Sequence, residues 1–482
     1  MNKRLVIHLL GAVLLIEAAT MVLSLLVSLI YRDGDTAALA ITIGVLLLIG
    51  LPPWLLVKPK ESNLRAREGF VTVALAWVFL CLFGALPYVI SGVIPNYVDA
   101  LFESVSGFTT TGATVIPWLE DVPRGVMFWR CFTHWIGGMG VLVFTLALLP
   151  RMTGRTSHLA RAESPGPVLS KIVPKMGDSA KILYIIYAAM TVVAFASLLL
   201  AGMSPYDAAL HAMSTAGTGG FSNHTASIGA YNNVAIEIVI TVLMVVFGVN
   251  LALFYRILNG GWRDALKSEE LHWFLGILAV GMLGVSLLIT PQYGNFFTAV
   301  RYGSFQVASI ISTTGFATAD YTQWHQAAQM ILVLLLFVGS CAGSTAGGLK
   351  VVRVALLCKL GRREIRHTFQ PRKVEVVRFE GKGVEESVLS QTVMFFCVYV
   401  LLLLGGAFLL SLEGKFDFAT HFTAALTCLS NVGPGLSFIS PSGNFAGFGS
   451  FSKIVLSVLM LCGRLELFPV LVLFHPAIWR RG

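Results

Sequence analysis

The sequence predicts an all-α, polytopic membrane protein in which two leading transmembrane helices precede four similar units. The 482-residue chain is 56% apolar and only 12% charged, whereas a soluble domain carries about 25% charged residues. Its apolar residues also fall into blocks of roughly 20, the length that crosses a bilayer as a helix. The composition therefore disfavours a soluble protein with buried helices.

Ten apolar stretches are long enough to span a membrane. They lie at about 5–30, 37–57, 70–92, 126–149, 181–203, 233–256, 271–290, 326–349, 388–411 and 452–475. One shorter apolar segment follows each of the third, fifth, seventh and ninth stretches, and segments of about 10–14 apolar residues are typical of re-entrant structure. The repeated pattern is span, half-helix, loop, span. It divides the chain into two leading helices (1–69) and four units at 70–160, 161–265, 266–375 and 376–482.

The half-helices carry local start signals. Ser204 is a candidate N-cap, with Pro205 at the first helical position and Asp207 in the first turn. Asn96 with Asp99, then Asn295, and then Asp417 begin the other three half-helices. Each half-helix is expected to run for about three turns and to end at a polar loop.

Each loop is rich in Thr, Ser or Asn and closes on a glycine. The four loops are 108–114 (FTTTGAT), 218–222 (TGGFS), 312–318 (STTGFAT) and 430–437 (SNVGPGLS). Glycine adopts positive φ readily and leaves room for an ion at the axis, and the negative end of a half-helix favours a cation. Irregular backbone at membrane depth is tolerated only inside protein or beside a water-filled cavity. The loops therefore predict a pseudo-fourfold pore, although four unrelated helix caps are the alternative.

Backbone carbonyls of such loops can replace the hydration shell of a cation. The predicted filter residues are Thr110, Thr111, Gly112, Thr218, Gly219, Gly220, Thr313, Thr314, Gly315, Asn431, Val432 and Gly433. The register of the second loop is ambiguous because three glycines lie within 215–221.

The eighth stretch contains a glycine-rich segment, 339–350 (GSCAGSTAGGLK). Four glycines in a span break a helix, so this segment is either an intramembrane gate or a site of close helix packing. The predicted gate residues are Gly339, Gly343, Ser344, Thr345, Ala346, Gly347, Gly348, Lys350 and Arg464.

Three charged residues at membrane depth or at its border are candidates for a role in the ion path. Arg464 either obstructs the ion path or pairs structurally with an acid such as Glu466. Lys350 is interpreted as an interfacial lysine whose ammonium reaches solvent, with a pore-facing position as the alternative. Glu103 either attracts cations or binds backbone groups behind the filter, and the second role is favoured.

The net charge of +9 is concentrated in loops on one side of this topology. Cytoplasmic loops carry such an excess of Lys and Arg, so both termini are expected in the cytoplasm. The basic linker 350–387 is either a solvated face or a docking surface for a soluble partner.

An intramembrane enzyme is the competing class of function. Ser340 or Ser344 would need a base within hydrogen-bond reach, and His134 is expected to be a packed residue instead. The sequence has no His-Glu-x-x-His motif and no paired intramembrane aspartates, so the chain is expected to be no enzyme. No dinucleotide-binding motif follows a strand, so it is expected to bind no nucleotide.

The sequence resembles the Trk/Ktr/HKT superfamily of potassium transporters, specifically its TrkH-like bacterial members. Segments 101–114 (LFESVSGFTTTGAT), 312–316 (STTGF), 343–348 (GSTAGG) and 431–435 (NVGPG) carry a resemblance that covers nearly the whole chain. It implies filter glycines at 112, 220, 315 and 433, a gating loop at 339–348 and a constricting arginine at 464. A glycine at 112 favours potassium over sodium by analogy.

The resemblance also implies the wider biology. It implies potassium uptake across the bacterial inner membrane, with potassium at the filter carbonyls, by a homodimer that has one pathway per subunit. The implied partner is a cytosolic, TrkA-like nucleotide-binding regulatory ring, and this chain itself would carry no cofactor. Channel-like permeation and proton- or sodium-coupled symport both need the same filter, so the sequence leaves the two open.

Overall fold

Two leading helices form an antiparallel hairpin at the edge of the fold. The computed structural model describes residues 3–57, 66–148, 176–373 and 375–467. Helices α1 (Lys3–Tyr31) and α2 (Thr36–Leu56) pack closely along each other, and α1 also packs on the first unit. At the hairpin turn, the Asp35 carboxylate accepts hydrogen bonds from the Ser28 hydroxyl and, at 2.7 Å, from Val126 N. The turn is thereby attached to the first unit.

The four units follow in chain order, and each contains one half-helix. Unit one comprises α3 (Ala66–Gly84), α4 (Leu86–Ile90), the half-helix α5 (Tyr97–Phe108) and α6 (Arg124–Leu148). Unit two comprises α7 (Met176–Leu200), the half-helix α8 (Pro205–Ala216), α9 (Val234–Gly248), α10 (Leu251–Leu258) and α11 (Trp262–Leu266). Unit three comprises α12 (Glu269–Tyr293), the half-helix α13 (Phe296–Ile311), α14 (Gln326–Val338) and α15 (Val351–Phe369). Unit four comprises the hairpin β1 (Arg378–Phe379) and β2 (Lys382–Gly383), then α16 (Glu386–Ser411), the half-helix α17 (Phe418–Ser430) and α18 (Ser450–Arg464).

The predicted starts of all four half-helices are confirmed. The side chains of Asn96, Ser204, Asn295 and Asp417 accept hydrogen bonds from backbone N–H groups of the first turn. A hydrogen bond from the Thr420 hydroxyl lowers the pKa of Asp417. The carboxylate is therefore charged at the positive end of its helix, where a negative charge is favourable.

The units pack in a closed cyclic order. The second span of each unit lies against the half-helix of the next: α6 on α8, α9 on α13, α14 on α17, and α18 back on α5. The half-helices therefore lie at the centre, and every residue of α17 from Thr423 to Ser430 is buried. Apolar side chains on the surrounding spans are exposed, as in Leu48 (74%) and Phe408 (65%), which is expected where lipid covers them.

By length and composition, six helices of the described residues can cross a membrane, or seven when a bent pair counts as one span. The bent pair is α9 and α10, which meet at 91° within the sixth predicted stretch. We did not predict this bend. It occurs where the Asn250 side chain accepts the N–H of Ala252 and so starts a new helix.

The eighth predicted stretch is helical only as far as Val338, and the chain resumes as a helix at Val351. The intervening residues 339–350 are named the break. Its position is the one that the glycines indicated. The predicted unit boundary at 160 and the end of the tenth predicted stretch lie outside the described residues.

Candidate ion-permeation site

All four half-helices end in the same way. In each, two successive N–H groups bond back to carbonyls three and five residues earlier, as Thr110 N does to Gly107 O (3.1 Å) and Thr111 N does to Ser106 O (2.9 Å). The equivalent five-residue bonds in the other loops begin at Gly219, Thr314 and Val432. This is a Schellman ending, which satisfies the last helical carbonyls and turns the chain sharply.

The turning residue is strained in every loop. Thr110, Thr218, Thr313 and Asn431 have φ of 55°, 54°, 56° and 55°. Positive φ is a genuine outlier for the three β-branched threonines, whereas asparagine tolerates it better. Such strain costs roughly 1–3 kcal/mol and persists only where the surroundings impose it. The four loops therefore share one backbone geometry, which unrelated helix caps would not be expected to do.

The predicted filter glycines bring the four loops into contact. Gly112, Gly220, Gly315 and Gly433 have φ of 80°, 79°, 83° and 93°. A Cβ on each would lie less than 3.0 Å from a carbonyl oxygen of the next loop. Those oxygens belong, in the same order, to Gly219, Thr314, Val432 and Thr111. The contacts run from loop one to two, three, four and back to one, so these four carbonyls form one ring.

This contact corrects the expected role of the glycines and gives the register of the second loop. We expected the missing side chains to leave room for an ion at the axis, but their space is occupied by carbonyl oxygens of neighbouring loops. Thr218, Gly219 and Gly220 have the dihedral angles and hydrogen bonds of Thr110, Thr111 and Gly112. They are the equivalent residues.

The break lies directly against the ends of three half-helices. The Ser340 hydroxyl donates to Ile311 O (2.8 Å), and the Thr345 hydroxyl donates to Ala216 O (3.0 Å). Gly347 N donates to the Thr313 hydroxyl of the third loop (2.8 Å), and Gly347 also packs on Ser430 O. The break therefore lies across the side of the ring on which the half-helices end.

The other side of the break is bound to the bend between α9 and α10. Cys341 N donates to Gly248 O (3.1 Å), and Leu251 N donates to Gly343 O (3.2 Å). Ala342 N donates to the Glu270 carboxylate (2.6 Å) at the start of α12. Units two and three thus both hold the break in place.

Arg464 bridges the break and the first unit. It is 8% exposed, and its guanidinium donates to Thr345 O in the break and to Gly137 O (2.8 Å) and Gly138 O (3.2 Å) in α6. Glu466 instead pairs with Arg353 at 2.9 Å. The expected alternative of an Arg464–Glu466 ion pair is therefore wrong, because the carboxylate has another partner.

Lys350 does not reach solvent. It is 6% exposed, and its ammonium donates to Ala346 O within the break. The interpretation as an interfacial lysine is therefore wrong, because φ of 75° at Lys350 turns the chain back so that its side chain lies along the break.

Glu103 lies behind the first loop, in the favoured of its two expected positions. Its carboxylate accepts from the Thr114 hydroxyl (2.9 Å), Val115 N (2.8 Å) and Arg130 Nε (2.7 Å). It therefore binds the backbone that leaves the loop, and Arg130 balances its charge.

Several residues of the site were missed in the sequence. Arg130, Glu270 and Asn250 contact the loops or the break. Arg130 is a charged residue inside the fourth apolar stretch. Charged residues inside a span are rare and functional, which is the reason that Arg464 was noted, and the same argument indicates Arg130. Nothing local marks Asn250, because its importance depends on a contact with Gly343.

The serines of the break have structural partners. Ser340 donates to Ile311 O and Ser344 donates to Cys341 O (2.7 Å), while His134 hydrogen-bonds Gly107 O (2.8 Å) and stacks on Phe221. The arrangement pairs neither serine with the histidine that the enzyme hypothesis needed.

Comparison with known proteins identifies the family and the fold of the chain. The profile of the TrkH family, described as a cation transport protein, matches residues 36–268 and 291–481. The chain is 36% identical to the Trk system potassium uptake protein TrkH of Salmonella typhimurium and to that of Escherichia coli K12, over the full length of each protein. The crystal structure of the potassium transporter TrkH from Vibrio parahaemolyticus matches with a TM-score of 0.90 and 33% identity, and it covers all of both chains.

These matches establish the all-α polytopic fold and a multi-pass membrane protein, and they exclude the enzyme hypothesis because the relatives are transporters. The chain belongs to the TrkH family of cation transport proteins.

Proposed function

We propose that the protein takes up potassium across the bacterial cytoplasmic membrane, and that the ion passes the ring formed by the carbonyls of Thr111, Gly219, Thr314 and Val432. The single observation that carries this proposal is the cyclic contact between glycines and carbonyls of adjacent loops. Carbonyl rings replace the hydration shell of a potassium ion, and the half-helix ends add negative potential. The names of the relatives, which are potassium uptake proteins, support the choice of ion.

We infer that the break is the gate. It lies across one side of the ring, it is irregular backbone at membrane depth, and its contacts with the half-helix ends are single hydrogen bonds. Arg464 holds it from the opposite wall. A fixed positive charge also opposes a cation by about 4 kcal/mol at a separation of about 4 Å and an effective dielectric of about 20.

Regulation is proposed to come from the cytosol, through a TrkA-like nucleotide-binding ring that docks on a homodimer. Contacts of the hairpin β1–β2 support a route by which such a ring acts on the break. The Glu380 carboxylate in the hairpin turn accepts from the Ser268 hydroxyl (2.8 Å) and Glu270 N (3.3 Å). Glu270 in turn binds Ala342 N in the break. This side of the protein, with both termini, is then the cytoplasmic side, and potassium is the permeant ion rather than a cofactor.

The purified protein in potassium-loaded liposomes should carry potassium in preference to sodium and should do so without a proton gradient. The reason is that a carbonyl ring requires only an electrochemical gradient to pass ions. Measured reversal potentials should follow the potassium gradient. Dependence of the reversal potential on the proton or sodium gradient would instead establish symport.

Replacing Gly315 with alanine should reduce the preference for potassium over sodium. The added methyl group meets Val432 O, and φ of 83° disfavours any side chain there, so one carbonyl of the ring must rotate. We expect a loss of preference of about tenfold, which corresponds to about 1.4 kcal/mol. Gly276→Ala is the matched control, because nothing lies within 4 Å of that position. An unchanged preference in a folded Gly315→Ala protein contradicts the filter assignment.

Deleting residues 343–348 should raise the basal potassium flux in the absence of the regulatory partner. The deletion removes the contacts of Thr345 and Gly347 with the half-helices and loops. Flux per inserted protein, measured in liposomes beside wild type, gives the result. Equal or lower flux from a correctly inserted variant would indicate that the break serves packing.

Replacing Arg464 with alanine should also raise potassium flux, because it removes the charge and frees Thr345 O. Arg464→Lys is the control, since lysine keeps the charge but not the planar fork of donors, and its flux should lie between the two. Flux and detergent melting temperature are measured together. A lower melting temperature with no gain in flux at matched protein level argues for a structural arginine.

A further inference from the structure

We propose that Glu103 and Arg130 are positioning residues that set the ion preference of the filter by holding its first two loops in register. This inference rests on the proposed function and adds residues that do not themselves line the carbonyl ring.

The pair is buried more completely than any other ion pair of the described residues. The Glu103 and Arg130 side chains are 0% and 1% exposed, and Arg130 Nε lies 2.7 Å from Glu103 Oε1. Removing two charges from water is expensive, and a buried pair often adds no stability over apolar residues of the same shape. Its contribution must therefore be sought in the groups that it binds.

Those groups are on two different loops. Glu103 binds the Thr114 hydroxyl and Val115 N, just after Gly112 of the first loop. Arg130 Nη1 donates to Ser222 O (2.9 Å), two residues after Gly220 of the second loop. Thr114 likewise lies two residues after its glycine, so the pair connects equivalent positions of neighbouring loops.

The second loop needs such support more than the others. The residue before its filter glycine is itself a glycine, Gly219, whereas threonine or valine occupies that position elsewhere. Glycine has the greatest backbone freedom, and Gly219 supplies the carbonyl that meets Gly112. Arg130 also lies over the Phe221 ring, with its Cζ 3.5 Å from the ring centroid. The arginine thus restrains Phe221 and Ser222, the two residues that follow Gly219 and Gly220.

Uncharged groups tie the other loop junctions, apart from the Asp320 carboxylate, which accepts from the Ser442 hydroxyl in an exposed hydrogen bond of 3.2 Å. Tyr321 OH donates to Gly435 O (2.9 Å), Asn431 donates to the Thr111 hydroxyl (2.9 Å), and the Ser227 hydroxyl accepts from Ala317 N (3.2 Å). Charge-assisted hydrogen bonds are roughly twice as strong as neutral ones. Among these junction contacts, the strongest buried tie is therefore at the junction with the loop that contains Gly219.

Discrimination between ions depends on the number and field of carbonyls that a filter presents. If the Gly219 carbonyl is free to move, the ring can contract around a smaller ion. Loosening the Glu103–Arg130 pair should therefore lower the preference for potassium over sodium, and not merely the amount of folded protein.

The test measures inhibition of rubidium uptake by potassium and by sodium in liposomes, together with the melting temperature of each variant. Glu103→Gln keeps the shape of the side chain and removes its charge; its potassium preference should fall by about tenfold. Thr114→Val changes the shape little and removes the hydrogen bond to Glu103, together with the one that Thr114 accepts from Ile116 N. Its preference should fall by a smaller factor, and it serves if Glu103→Gln does not fold.

Glu237→Gln is the matched control. Glu237 forms a bidentate ion pair with Arg301, at the end of α13 remote from its loop. This variant should lose stability and keep the wild-type preference. If Thr114→Val and any folded Glu103→Gln protein keep the wild-type preference, the inference is overturned and the pair is structural. If wild type itself shows no potassium preference, the proposed function fails, and the inference fails with it.

Discussion

At each filter glycine, a carbonyl oxygen of the next loop occupies the space where a side chain would lie. The rest of the structure keeps the four loops at this close distance. The half-helices are capped at one end and finish in identical Schellman endings at the other. The second span of every unit packs on the next half-helix, so the ring closes only when all four units are present. The strain at Thr110, Thr218, Thr313 and Asn431 is supported by this closure, because no single loop would hold it alone.

The four similar units together form the ring, whereas features found in single units form and hold the proposed gate. In the third unit the second span is interrupted beneath the ring by the break, which is bound by the bend of the second unit, by Arg464 of the fourth and by Glu270 of the third. Each of these elements contributes only one or two hydrogen bonds to the irregular backbone of the break, which is the low-stability class of structure from which moving elements are drawn. These side chains also satisfy backbone polar groups of the break that lipid could not satisfy. The contacts that hold the break closed therefore also contribute to folding.

The sequence predicted the features that have local causes. N-caps, the polar loops and the glycines of the break are each encoded within a few residues, and the structure has them where the sequence indicated. The partners of Arg464, the burial of Lys350 and the bend at Asn250 depend on residues far away in the chain, so composition and spacing did not reveal them. The role of the glycines was misjudged for the same reason. Positive φ could be inferred locally, but the carbonyl that fills the space belongs to another unit.

The most direct test of this account is to locate the ion. Crystals grown with thallium or rubidium in place of potassium allow the bound cation to be placed by anomalous diffraction. The account predicts a peak on the axis, among the carbonyl oxygens of Thr111, Gly219, Thr314 and Val432. A protein that transports potassium but shows no peak at this ring, with ordered cations elsewhere, would contradict it.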